Sequence, residues 1–129
     1  MSIDHMDDPE IKREIADGEA KNVRDGVSEF LYQNFKEHPE EVKSKIAEYQ
    51  GHLAEIAKQY IEDAERDIWT QYQMVNMYYN LASDFPDQED YFRDQLDELW
   101  GIINNATDEN LKKRWRGKFE DEFGSFFQS

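Results

Sequence analysis

The stretch from Glu40 to Ala82 constrains the fold more than any other part of the chain, because it has no proline and a single glycine, Gly51. Eleven apolar residues follow one another there in ten steps over 36 positions, a mean spacing of 3.6. They are Ile46, Tyr49, Leu53, Ile56, Tyr60, Ala64, Ile68, Tyr72, Val75, Tyr79 and Ala82. This is the period of one face of a straight α-helix, whereas a coiled-coil seam averages 3.5. The pattern predicts one helix over about 40–82, with Gly51 as the place for any kink.

Three shorter helices are predicted around this long one. The first covers about 9–36, begins at Asp8-Pro9 with Asp8 as N-cap, and has a weak point at Gly18. A turn over 83–87 precedes a third helix at about 88–105, and the fourth covers about 108–124 after a cap at Thr107 or Asp108. These elements predict an all-α, four-helix bundle-like domain organised around the long central helix.

Short connections between helices make neighbours antiparallel. The first helix should therefore pack on the N-terminal half of the long helix, and the third and fourth on its C-terminal half, which is apolar on most sides. The predicted core residues are Leu53, Ile56, Leu96, Leu99, Ile103 and Trp115. We expect a single domain over 1–129, with 1–8 as a disordered acidic leader and Phe126 and Phe127 docked on the bundle.

Charge narrows the classes of function. The chain has 30 acidic and 15 basic residues and a formal net charge of −15. Such a charge opposes direct binding to nucleic acid or to anionic membranes and favours protein partners with a basic surface. No apolar run approaches the ~20 residues of a membrane span, and the acidic N-terminus lacks the apolar region of a signal peptide, so we expect a cytoplasmic protein.

No pattern typical of an enzyme occurs in the sequence. Cysteine is absent, the serines lack a nucleophile-elbow motif, and the glycines are too dispersed for a phosphate-binding loop. The Glu-x-x-His pairs of carboxylate-bridged metal sites are also missing, although His52 has Glu48 and Glu55 as helical neighbours. We therefore predict a protein without enzymatic activity or cofactor, and keep a metal-binding carboxylate bundle as a distant third reading.

The third predicted helix carries a row of acidic residues opposite its apolar stripe. We call this row the acidic ridge; it consists of Asp87, Asp90, Asp94, Asp97 and Glu98. Like charges at these spacings destabilise a helix slightly, so the ridge serves either solubility or recognition of a basic partner. We take it as the candidate partner-binding site.

The fourth predicted helix has the opposite charge. Five bases fall in seven residues around Trp115: Lys112, Lys113, Arg114, Arg116 and Lys118. In so acidic a chain we expect them to neutralise the neighbouring third helix rather than to bind nucleic acid.

Two functional hypotheses follow. The first is a non-enzymatic inhibitor or decoy that covers the basic, nucleic-acid-handling surface of a partner protein, as phage anti-defence proteins, immunity proteins and antitoxins do. The second is a structural subunit that forms a homo-oligomer through the aromatic half of the long helix. In that half of the helix, Trp69, Met74, Met77 and Tyr78 are candidate partner-binding residues, secondary to the acidic ridge. The competing interpretation is that they are ordinary core residues.

Overall fold

The computed structural model describes residues 8–124, and this part of the chain contains five α-helices and no β-strand. The helices are α1 (Pro9–Asn34), α2 (Pro39–Tyr60), α3 (Arg66–Asp84), α4 (Glu89–Asn104) and α5 (Glu109–Phe123). The all-α prediction is confirmed. The predictions for residues 1–7 and for Phe126 and Phe127 lie outside the described residues.

Local signals set most of the helix ends as predicted. The Asp8 carboxylate accepts from the Glu10 N–H at 2.9 Å and begins α1, which then continues through Gly18 without a break. The Asp108 carboxylate accepts from the N–H groups of Asn110 and Leu111 at 2.9 and 3.1 Å and begins α5. A single side-chain oxygen thus satisfies donors that the first helical turn leaves free.

The prediction of one long helix over 40–82 is wrong. The helix passes through Gly51 but ends at Tyr60, and Ile61 and Glu62 are extended, with φ/ψ of −109/136° and −62/146°. A 3₁₀ turn, Asp63–Glu65, then leads into α3. The buried positions explain the error: Ile61 and Glu65 are buried at this point, whereas Ala64 of the predicted stripe is exposed.

The break is a reversal of direction, since cross-helix contacts place α3 beside α1. Trp69 contacts Asp17, Gln73 contacts Arg24, and Phe85 stacks on Phe35 with ring centroids 5.1 Å apart. The numbers rise together, so α3 runs parallel to α1. Both are antiparallel to α2, because α1 approaches α2 at Tyr60–Glu19 and at Lys45–Phe30.

The last two helices cover the other side of α3. Contacts of Gln71 with Gln95 and of Tyr79 with Phe92 show that α4 is antiparallel to α3. Helix α5 turns back on α4 and reaches α3, where Trp115 packs edge-on against Tyr72 at 5.3 Å. Because α1, α2, α4 and α5 all contact α3, burial explains most of its apolar surface, while Tyr79 stays exposed.

The core confirms the predicted set. Leu53, Ile56, Leu96, Leu99, Ile103 and Trp115 are all buried, at 9% exposure or less. They belong to one continuous cluster that joins the five helices. Within residues 8–124, no helix has the length and apolar character needed to cross a membrane.

Candidate functional site

The acidic ridge lies on the outer side of the bundle. Asp87 stands in a 3₁₀ turn, Pro86–Gln88, and the other four acids project from α4. All five side chains are exposed, because the opposite side of the helix places Phe92, Leu96 and Leu99 in the core. The packing of α4 therefore fixes the direction in which the ridge faces.

The ridge carboxylates have no basic partner within residues 8–124. The nearest base on the helix, Arg93, forms an ion pair at 3.2 Å with Glu89, which lies outside the ridge. Glu89 and Asp90 also stand in the first turn of α4, where the helix dipole favours negative charge. The dipole thus stabilises Asp90, but no base among residues 8–124 forms an ion pair with any of the five ridge carboxylates.

The sequence predicted that the bases of the fourth predicted helix, now α5, neutralise the acids of the third, now α4. The ion pairs of the described residues contradict this prediction. Arg114 bonds to Glu65 in the turn before α3, and Lys112 pairs with Glu109 in its own helix at 3.5 Å. Arg116 donates to the amide oxygen of Asn104, at the end of α4. None of these three contacts reaches an acid of the ridge.

Lys118 lies over aromatic rings instead of beside an acid. Its Nζ atom is 4.6 Å from the Tyr72 ring centroid and 5.4 Å from that of Trp115. A cation over such ring faces is attracted by their negative charge density. Lys118 therefore contacts the core aromatic residues and forms no ion pair with the ridge among the described residues.

A buried ion cluster around Glu65 was missed by the sequence reasoning. The Glu65 carboxylate accepts hydrogen bonds from Arg114 and from the Trp115 indole N–H, the latter at 2.7 Å, and lies 3.6 Å from Arg13. It thereby joins α1 and α5 to the turn between α2 and α3. One signal in the sequence could have revealed the cluster. Glu65 is a charged residue at helical spacing from the apolar residues Ile61, Ile68 and Tyr72.

The chemistry of the Glu65 cluster is structural. Glu65 Oε1 accepts from Arg114 and from the Trp115 indole N–H, Oε2 faces Arg13 at 3.6 Å, and the side chain is only 3% exposed, so groups of the fold engage both carboxylate oxygens. A second network lies beside it: Trp69 and Gln73 donate to Asp17 at 2.8 and 2.9 Å. Both networks fix the mutual positions of helices.

Three of the four secondary partner-binding candidates are core residues. Trp69, Met74 and Met77 are buried at 1–2% exposure, and Tyr78 is half-buried. In this fold the three cannot form an exposed docking patch, which corrects the alternative reading in favour of core packing. The pKa of Tyr78 is raised, first by burial and then by the neighbouring Tyr91.

Two tyrosines are exposed next to the ridge. Tyr91, at 59% exposure, borders it on α4, and Tyr79, at 43%, packs its ring edge-on against Phe92 of the same helix at 5.5 Å. Tyrosine is enriched in protein–protein interfaces because its ring contributes apolar area and its hydroxyl a hydrogen bond. The two rings thus enlarge the surface that the acids define.

The histidine neighbourhood has the geometry of a solvated pair. His52 Nε2 lies 3.9 Å from Glu48 Oε1, and both side chains are more than half exposed. Across the described ranges of the chain, no group of three or more His, Asp or Glu side chains is arranged to hold a metal ion.

In comparisons with known proteins, no protein-family model matches this chain, and no curated protein or solved structure is significantly similar to it.

Proposed function

We propose that the protein is a non-enzymatic inhibitor that lays its acidic ridge on a basic, nucleic-acid-handling surface of a partner protein. The observation that carries the proposal is that the five ridge carboxylates are exposed and have no basic partner among residues 8–124. Unpaired charge on one side of a small protein attracts a surface of opposite charge and accelerates the encounter.

The spacing of the ridge supports a nucleic-acid-handling target. Within α4 the helical rise from Asp90 to Glu98 is about 12 Å, so the four ridge charges on this helix stand on average about 4 Å apart along its axis. A nucleic-acid strand presents one phosphate about every 3.4 Å. A groove that binds a phosphate row therefore meets a similar linear charge density on this surface.

The rigidity of α4 favours such a role. The helix is fixed by buried Phe92, Leu96, Leu99 and Ile103, so the backbone that carries its exposed acids is ordered without a partner. A surface that is already ordered loses less entropy on binding than a flexible acidic segment does. By function such an inhibitor would belong with phage anti-defence proteins, immunity proteins and antitoxins, and it would act in the cytoplasm.

The homo-oligomer alternative receives less support. Its proposed surface, the aromatic half of the predicted long helix, corresponds to α3, which lies between the other helices and buries Trp69, Met74 and Met77. Folded domains that associate surface to surface therefore cannot use these three side chains.

A matched pair of variants tests the proposal. In the ridge variant Asp90, Asp94 and Asp97 are changed to Asn. In the control variant three exposed acids of α1 and α2 are changed to Gln, with the same effect on net charge: Glu29, Glu41 and Glu55. Each protein serves as bait in a lysate of the native host, and bound proteins are quantified by mass spectrometry.

The expected result is a nucleic-acid-binding protein that the wild type and the control variant retain equally and that the ridge variant loses. Adding the wild-type protein should then displace nucleic acid from the purified partner. If the ridge variant retains every protein that the wild type captures, or if the partner binds nucleic acid and this protein at the same time, the proposal is refuted.

A further inference from the structure

The turn between α2 and α3 joins two helices whose sequences also form one continuous helical pattern. Residues 60–66 contain neither glycine nor proline, and the 3.6-residue apolar period passes through them without interruption. Most of these residues, including Glu62, Ala64 and Arg66, are good helix formers. The local sequence therefore permits both the observed hairpin and a straight helix over 39–84.

The Arg66 side chain replaces backbone hydrogen bonds that a straight helix would make. The Arg66 guanidinium donates to the carbonyl oxygens of Ile61 and Lys58 at 2.9 and 3.3 Å, at the open end of α2. In a straight helix the same carbonyls would accept from the N–H groups of Glu65 and Glu62. Straightening thus exchanges one set of hydrogen bonds for another and leaves no carbonyl without a donor.

We propose that the turn at residues 61–65 is a hinge through which two copies of the chain exchange their α1–α2 hairpins. In the exchanged dimer, residues 39–84 of each copy form one helix, and the hairpin of one copy packs on α3 of the other. The contacts between these units, such as Trp69 with Asp17, Gln73 with Arg24 and Phe85 with Phe35, are made again between copies.

The occupant is a second copy because these surfaces are already complementary within one chain. Monomer and dimer then differ only in the turn and in the entropy of association, so concentration decides between them. Short connections are the usual sites of such exchange. The dimer leaves the acidic ridge exposed, so this inference does not depend on the proposed function.

Substitutions at the turn separate the two states. Asp63→Pro suits the hairpin, because Glu62 already has the extended backbone required before proline, but proline would interrupt the straight helix. Asp63→Ala is the matched control, since it also removes the ion pair with Arg66 yet permits the straight helix. Arg66→Ala removes the side chain that caps α2 in the hairpin.

The measurement is size-exclusion chromatography with light scattering after refolding at concentrations up to the millimolar range, with circular dichroism as the check on folding. The wild-type chain should show a dimer fraction that grows with concentration, and Asp63→Ala should keep it. Asp63→Pro should abolish it. Loss of the Arg66 cap should lower the dimer dissociation constant by roughly fivefold for each of the two hinges.

A distance measurement shows whether a dimer is exchanged. The chain has no cysteine, so Glu48→Cys and Asn80→Cys allow two spin labels, and the doubly labelled chain is mixed with excess unlabelled chain before refolding. These positions are about 48 Å apart along a straight helix. In the hairpin they lie on adjacent antiparallel helices, less than roughly 25 Å apart.

The long intrachain distance in the dimer fraction supports the exchange. A dimer with only the short distance, equal dimerisation of Asp63→Pro and wild type, or monomers alone for wild type and Arg66→Ala at every concentration would each overturn it.

Discussion

Removing the Glu65 carboxylate should destabilise the fold by about 3 kcal/mol, and the estimate follows from its contacts. Glu65→Ala leaves the buried indole N–H of Trp115 without its acceptor at 2.7 Å, which costs about 1–3 kcal/mol. It also breaks the pairs with Arg114 and Arg13. Their side chains are 45% and 20% exposed and can turn to water, so the loss stays below the ~3–5 kcal/mol of a fully buried pair.

Glu65→Gln separates the two contributions. The amide oxygen can still accept from the indole, so this variant should lose only about 1–2 kcal/mol through the missing charge. Glu62→Ala, an exposed change in the same turn, is the control and should stay within about 0.5 kcal/mol.

Urea unfolding followed by circular dichroism measures all three free energies, provided that the m-values stay equal. A loss below about 1 kcal/mol for Glu65→Ala, or equal losses for the alanine and glutamine variants, would show that the carboxylate does not hold the turn to α1 and α5.

Three further predictions concern the core and its tyrosines. Leu99→Ala, at a position with 1% exposure, should cost about 2–5 kcal/mol in urea unfolding, and a loss below 1 kcal/mol would mean that α4 is not packed as described. Tyr49→Phe should change stability by no more than about 1 kcal/mol, because the buried Tyr49 hydroxyl makes no hydrogen bond of normal geometry within the described chain and has only the nearby Arg24 guanidinium beside it; a larger loss would contradict this. Burial, followed by the hydrogen bond to Glu122, raises the pKa of Tyr72 above its ordinary value of 10. The folded state therefore holds this proton more tightly than the unfolded state, so stability should fall as pH rises above 10, and less steeply in Tyr72→Phe; identical pH profiles would contradict this.

Helix ends were predictable because the interactions that set them are local. Asp8 and Asp108 bond to N–H groups two or three residues away, and Pro39 begins α2 immediately after a residue that proline restricts. The spacing of apolar residues along α4 likewise allowed the burial of Leu96 and Leu99 to be predicted.

The reversal after Tyr60 could not be predicted from the apolar period, because tertiary contacts determine it. The stripe through Tyr60 and Ala64 and the one through Ile61 and Glu65 have the same spacing, but only the second is fully buried, since Tyr60 is half-buried and Ala64 is exposed. The second stripe is hard to recognise in the sequence because Glu65 is charged. Its partners Arg13 and Arg114 lie 52 and 49 residues away along the chain. Folding back buries the all-round apolar surface of α3, which a straight helix would leave partly exposed.

The exposure of the acidic ridge followed from the helical period, but its lack of partners did not. Sequence proximity favoured pairing between the acids of α4 and the bases of α5. Whether such bases meet the ridge depends on the rotation of α5 about its axis, and this is set by the packing of Trp115, Phe119 and Phe123. That rotation directs Arg114 to Glu65.

The association rate of the captured partner with this protein tests the account most directly. Surface-immobilised kinetics at low and at physiological salt should show slower association for the ridge variant than for the wild type and the control variant. The difference should shrink as salt screens exposed charges over about 8 Å. An association rate that is the same for the ridge variant and the wild type at both salt concentrations would contradict the assignment of the acidic ridge as the binding surface.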